Sequence, residues 1–522
     1  MNLILRKTKF KTQDISNMRL IVLVTFLVIS CSVFAQNKDL EKANQYFKDF
    51  NYTKAINIYK QLISEGENAY YATNQIAHAY QKMGESQQAV NWFHKVLEYP
   101  DFDYSVYFHL SRELQKLKAY EEAAENLEEY YKRSGKKLAI QAPTLASYIQ
   151  ELKNDSTRYE ISPLAINTRF SEFGAVIYQD KLIFSTNRPL KSITKQEDVR
   201  TGMPFFNLFE ADVLSLETSG EATLFSKALQ SKLNDGPICF EPDYQTIFIT
   251  RNASKSSNYA SELDIFVSKR KDGEWSKDIQ SLPIRKSGYS VAHPCLSKDG
   301  KLLFFASNMP GGYGGMDLYV CEKKDGFLSL PINLGPEINT LGNEVFPFIS
   351  TDGVLYFSSD GLPGLGGYDL FFSRNVNEQF AAPFNLGYPL NSAADDFSLT
   401  LSDDSKRGYF SSNRQGGKGG DDIYALSILK PLEYCHIKGM VTNADNSIPI
   451  EEAWVDIEDV SGMKKIRLKT DDQGQFTCFL KKDKKYLLLF RKKLFIDFKG
   501  GLIPEDMENF DELNVNIEMQ EK

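Results

Sequence analysis

The sequence predicts a multidomain α + all-β chain: helical hairpin repeats, then a five- or six-bladed β-propeller, then a β-sandwich. Three observations carry this. Similar residues recur every 34 positions between 37 and 140. An aromatic strand phrase recurs at spacings of 52 to 64 positions between 160 and 430. From 431 onward short strands alternate with turn residues, and neither period continues.

A chain of 522 residues exceeds what one hydrophobic core accommodates, so several domains are expected. Aromatics make up 13%, with 36 Phe and 27 Tyr, which favours strands over helices beyond the repeats. The net charge is −8. Five of the 61 basic residues and one of the 69 acidic ones lie in 1–35, so the remainder carries −12. Without a basic run, such a chain is not expected to bind nucleic acid.

Residues 1–35 read as a signal peptide. Met18-Arg19 precedes the apolar run Leu20–Ile29, and the small residues Val33 and Ala35 mark cleavage after Ala35. The run is short for a bilayer span. Val28-Ile29-Ser30-Cys31 is also similar to a lipoprotein box, so lipidation at Cys31 is the alternative. Five cysteines remain, at 239, 295, 321, 435 and 478. Their scatter fits buried free thiols better than a disulfide framework or a zinc site, although Cys435 and Cys478 share a domain.

The helical repeats occupy 37–140. Ala55, Ala89 and Ala123 are 34 apart, as are Tyr59, Phe93 and Leu127, and Ala43, Ala77 and Ser111. Small residues recur where two helices approach and large ones where a gap must be filled. This is the tetratricopeptide pattern. Three units stack into a short superhelix. Its concave face should carry Asn44, Lys48, Asn74, His78, Gln81, Lys82, Arg112 and Lys116, a polar and basic set suited to a peptide backbone or an acidic segment. A merely solvated helix face has the same composition. Residues 141–160 form a linker containing a last helix, Leu145–Leu152.

The propeller is expected at 160–430. Phe184, Phe248, Phe305, Phe357 and Phe410 mark equivalent strands in five blades, with room for a degenerate sixth. Third strands are expected to start at Ala211-Asp212, Asp264, Asp317, Asp369 and Asp422. The Gly-rich runs before three of these let backbone pass closely at one rim. Their Asp residues are expected to cap turns, with Ca²⁺ ligation as the alternative.

The segments His293–Gly300, Asn333–Thr340, Asp395–Ser398 and Ser411–Arg414 resemble the WD40-like PD40 propeller of PorE-type envelope proteins of the type IX secretion system. Their order of modules is similar too: tetratricopeptide repeats, propeller, carboxypeptidase-regulatory-like domain. The third module matches 431–522, where Thr470-Asp471-Asp472-Gln473-Gly474-Gln475-Phe476 looks like the turn of a transthyretin-like β-sandwich. The resemblance implies a periplasmic, non-enzymatic scaffold, with or without outer-membrane association, whose partners are envelope or secretion-system proteins. That family continues into an OmpA-like domain, for which 522 residues leave no room, so direct peptidoglycan binding is not expected.

No catalytic residue, metal ligand or cofactor site is expected. Gly288-Tyr289-Ser290-Val291-Ala292 mimics a nucleophile elbow but lies between blades. The run around Lys418 mimics a phosphate loop and lacks its Lys-Ser/Thr ending. The rival reading is a glycan- or peptide-binding propeller serving wall contact or nutrient sensing.

Overall fold

The computed structural model describes residues 38–135, 144–154, 156–190, 197–198, 202–213, 221–253, 262–286, 288–324, 326–376, 379–460, 465–508 and 510–522. The signal peptide of 1–35 and lipidation of Cys31 lie outside them. The chain divides into two compact units, Met1–Val106 and Tyr107–Lys522.

In the first unit, α1 (38–48), α2 (Tyr52–Ser64), α3 (Ala69–Lys82) and α4 (Ser86–Leu97) make two helical hairpins. The repeat positions do what the spacing requires. Ala43, Ala55, Ala77 and Ala89 are fully buried where helices meet, and Tyr59 and Phe93 fill the gaps beside them. The third hairpin, α5 (Ser105–Lys116) and α6 (Tyr120–Ser134), continues the pattern. Its Ser111 replaces the alanine and donates its Oγ–H to the Ala123 carbonyl at 2.7 Å, so the polar substitution costs no unsatisfied group. α7 (Thr144–Asn154) follows.

Five antiparallel sheets form the propeller. The innermost strands are Glu172–Tyr178, Asp235–Phe240, Val291–Leu296, Glu344–Ile349 and Asp396–Leu401, each packed against the next, with the fifth against the first. The ring therefore closes at five blades, the first of the two expected numbers, and no sixth blade is present among the described residues. Closure is made by strand exchange: Tyr159–Pro163, from before blade 1, pairs antiparallel with Asp422–Ile428 as the outer strand of blade 5. One register assignment is corrected. The third strand of blade 1 begins at Asn207, paired with Thr186, and Asp212 stands at its far end. Blade 1 lacks the Gly-rich turn that fixes this point in blades 3 to 5, so the nearest Asp misleads.

The C-terminal module has a three-stranded sheet (Gln475–Lys481, Tyr434–Asn443, Glu512–Met519) and a four-stranded sheet (Lys465–Lys469, Trp454–Asp459, Tyr486–Arg491, Phe498–Leu502). Residues of both sheets, among them Ile437, Phe476, Ile457 and Phe490, share one core. Cys435 and Cys478 are buried there without a disulfide between them, and the three propeller cysteines are buried too. No helix among the described residues is long and apolar enough to cross a membrane.

Candidate functional site

Every innermost strand carries a β-bulge, and the bulges build the propeller's centre. The third residues of these strands are Gly174, Pro237, His293, Phe346 and Ser398. Four of them take positive φ, at 69°, 56°, 51° and 56° for Gly174, His293, Phe346 and Ser398. That turn aims each backbone N–H at the preceding blade. Gly174 donates to Ser411 Oγ (3.2 Å), His293 to Thr250 Oγ1 (2.9 Å) and Ser398 to Ser358 Oγ (3.2 Å). Blade 3 offers Ala306 at the acceptor position, and Phe346 donates instead to His293 Nδ1 at 3.4 Å. Pro237 has no N–H, and the hydroxyl that would receive it, Ser185 Oγ, is buried without a partner. The set is a ring of blade-to-blade stitches with one stitch missing, for a stated chemical reason.

Below this ring lies a cavity of about 410 Å³ along the central axis. Its lining includes the His293 ring stacked on Phe346 with centroids 3.9 Å apart, and Phe346 is backed by Phe397, outside the lining, at 5.1 Å. At the mouth Lys298 Nζ of blade 3 reaches Asp403 of blade 5 at 2.7 Å, and Thr351 Oγ1 of blade 4 donates to the Asp403 carbonyl. Glu241 is paired with Lys323 at 2.7 Å. Burial lowers His293 to about 3, so its imidazole is neutral and accepts at Nδ1. Burial raises Cys295 to about 11, leaving it a thiol that accepts the Ile349 N–H.

The opposite rim is acidic, and most of its carboxylates are held from within, although Asp369 Oδ1 and Asp422 Oδ1 are buried without a partner. The inner strands begin with Glu172, Asp235, Glu344 and Asp396 in blades 1, 2, 4 and 5. Arg188 meets Glu172 at 3.0 Å, Arg251 meets Asp235 at 2.6 Å, and Arg414 meets Asp396 at 2.5 Å. Gly361 stands where blades 1 and 5 carry Arg188 and Arg414, so Glu344 has no guanidinium. It accepts from Thr340 N, Thr340 Oγ1 and Ser359 Oγ, and burial raises it to about 8. The Gly-rich loops behave as turns. Asp317 and Asp422 each accept two loop N–H groups, and Asp369 accepts that of Leu365. Gly366 and Gly419 lie where a Cβ would strike the backbone of the neighbouring blade, so larger residues are excluded. Among the described residues no three His, Cys, Asp or Glu are placed to hold a metal ion.

The helical layer α5–α7 rests on this rim at blades 4 and 5. Arg112 is buried and donates from Nη2 to the Gly367 carbonyl at 2.5 Å. Tyr120 donates to the Leu365 carbonyl at 3.1 Å, and Tyr388 N donates to Leu152 O at 2.9 Å. Leu365 packs among Phe108, Leu127, Tyr130 and Ile149. Arg112 and Lys116 are therefore not groove residues. Arg112 is spent on the propeller backbone, and Lys116 pairs with Glu113 at 3.3 Å while its stem lies against Gly367.

The other six belong to the first unit. Asn44 Oδ1 accepts from Tyr59 OH and Tyr71 OH at 2.7 and 3.0 Å. His78 contacts Gln81 through Nδ1 at 3.3 Å and sets its ring edge-on to Phe93, and burial lowers its pKa. Asn74 Oδ1 is buried without a partner, whereas Lys48 and Lys82 are exposed. No sequence pattern marks the cavity, because its lining is gathered from the innermost strands of all five blades.

No protein-family model matches the chain, and no curated protein matches it. Among solved structures it is similar to TolB from Acinetobacter baumannii (14% identity, TM-score 0.27, covering 62% of this chain and 82% of that one). It is similar to RS223 β-xylosidase at 13% identity and TM-score 0.33, over 52% of this chain and 95% of that one. Hydroxyquinol 1,2-dioxygenase from Pseudomonas putida DLL-E4 matches 18% of this chain at 10% identity and TM-score 0.15, and the match spans only 58% of the dioxygenase. At such scores these likenesses assign no function. The propeller stands on its own strand order.

Proposed function

We propose that the chain is a non-enzymatic scaffold of the cell envelope that holds partner proteins. The observation behind this reading is the employment of the groups around the central cavity. His293, Cys295, Glu241, Lys298 and Asp403 each serve the framework, through a hydrogen bond or an ion pair. Acid–base or nucleophilic work needs a group poised near the working pH. The exposed Lys48 and Lys82 of the first unit are the contacts first expected to meet a partner. The module order and the PD40-like segments favour envelope or type IX secretion proteins as partners, and the periplasm as the site of action. Photo-crosslinkers placed at positions 48 and 82 in the native envelope test this. The same secretion-apparatus protein captured from both positions, and lost on reversing the two charges, is the expected result. A substrate turned over by the purified chain, with loss on changing one cavity residue, overturns it.

The cavity itself favours a second reading, a peptide- or glycan-binding propeller. A wall fragment or peptide retained on the immobilised propeller, and released on replacing Lys298 or Asp403, would select it.

A further inference from the structure

A second cavity, of about 150 Å³, opens on the side of the propeller between blades 4 and 5. Phe372, Leu386, Leu390, Leu399, Leu401 and Leu426 wall it, and all are buried. Arg374, Tyr356 and the exposed Asp352 complete the lining. Arg374 is half-buried. Its Nε is fully sequestered and has no hydrogen-bond partner. Its guanidinium lies 5.9 Å from the Phe479 ring and meets no carboxylate among the described residues. Asp352 accepts from Ser350 Oγ at 2.6 Å, and Asp511, whose pKa the Arg374 charge helps to lower, is paired with Lys482 at 2.9 Å.

Arg270 of blade 2, over Trp275, shares an unpartnered Nε, and the contrast is with the rim arginines. Arg188, Arg251 and Arg414 are as buried or more so, and each has its acid. A desolvated guanidinium edge without an acceptor is costly, and the planar fork is shaped for a carboxylate. Apolar cavities of ~150 Å³ lined by Leu and Phe hold a benzene-sized body. Asp352 at the same opening adds a negative charge that disfavours a dianion.

We propose that this cavity binds a small monocarboxylate with an apolar, benzene-sized body, its carboxylate meeting Arg374. The acid group belongs either to a free metabolite or to the C-terminus of a peptide ending in Phe or Leu. The full chain is titrated with benzoate and with neutral benzamide, followed by calorimetry. Benzoate is expected to bind at least about tenfold more tightly, the worth of one charge-assisted bond. Arg374→Gln should erase that preference while its thermal midpoint stays near that of the parent. If Arg374→Gln unfolds, Arg374→Lys carries the test. It keeps the charge, loses the fork, and should weaken benzoate several-fold. A peptide ending in a free Phe carboxylate, compared with its amidated form, separates the two sources. Absence of benzoate binding, equal binding of benzoate and benzamide, or an undiminished preference in both Arg374 variants overturns the proposal.

Discussion

Ser185, Thr250, Ser358 and Ser411 hold one structural position in four blades, yet their hydroxyls differ in worth. Three receive a backbone N–H from the next blade, while Ser185 faces Pro237 and receives nothing. Removing a partnered buried hydroxyl leaves a bulge N–H unsatisfied, and removing an orphaned one does not. Ser358→Ala and Ser411→Ala should each cost about 1–2 kcal/mol in urea denaturation, and Ser185→Ala should be neutral or slightly stabilising. Glu344 gives a pH prediction. Its folded pKa of about 8 lies above the ordinary 4.5, so between these values the native state binds more protons than the unfolded chain. Stability contributed by Glu344 is complete below about pH 4.5 and declines as pH rises to about 8, by at most ~1.4 kcal/mol per pH unit. Glu344→Gln should flatten that slope in melts recorded from pH 5 to 8. An unchanged slope would place the titration elsewhere.

At the scale of elements, the hairpin turns of the helical repeats repeat as faithfully as the helices. Phe50, Gly84 and Lys118 are 34 apart and all adopt positive φ, at 59°, 74° and 62°. Only one is glycine. Lys118→Gly should therefore stabilise the second unit, by about 0.5–1 kcal/mol, read from its thermal midpoint. The repeats were legible because alanines at helix crossings have few alternatives and their spacing survives divergence. The fate of the third repeat was not. Arg112 in sequence is a cation on a polar helix face, and nothing local says that its acceptor is a carbonyl 255 positions onward. Arg112→Ala should cost about 2–3 kcal/mol, since a charge-assisted buried bond is lost and the Gly367 carbonyl is left without its donor. Hydrogen exchange should show α5–α7 loosening ahead of the blades. Asn207 illustrates the same limit in the propeller: without its glycine turn, blade 1 hides the register that the pairing with Thr186 reveals.

For the molecule as a whole, the missing arginine of blade 4 and the docked helical layer fall at one place. In blades 1 and 5, Arg188 and Arg414 lie over Phe184 and Phe410 and hold the rim acids. In blade 4, Gly361 stands at that position with Thr340 and Gly342 packed against it, and Tyr131 of α6 is raised by burial first, then by the charges of Tyr130 and Glu344. Blade 4 holds its rim acid with the hydroxyls of Thr340 and Ser359 in place of an arginine. The approximate period of the phrases pointed to a propeller but left its number of blades open, because a degenerate blade and a longer loop look alike in sequence. Strand exchange at Tyr159–Pro163 decides it. Deleting 159–163 should abolish the single cooperative unfolding transition of the propeller, seen as a broadened melt at lower temperature.

The same exchanged strand has a mechanical meaning. Tyr159 lies opposite Ile428, so the polypeptide enters and leaves the ring at one end of one ladder. A pull between the modules on either side would peel this ladder rung by rung instead of loading all rungs together. Arg158 clamps that end, holding Asp483 and the Pro431 carbonyl at 2.9 and 3.2 Å. Resistance of the ring to tension thus begins with one side chain outside it.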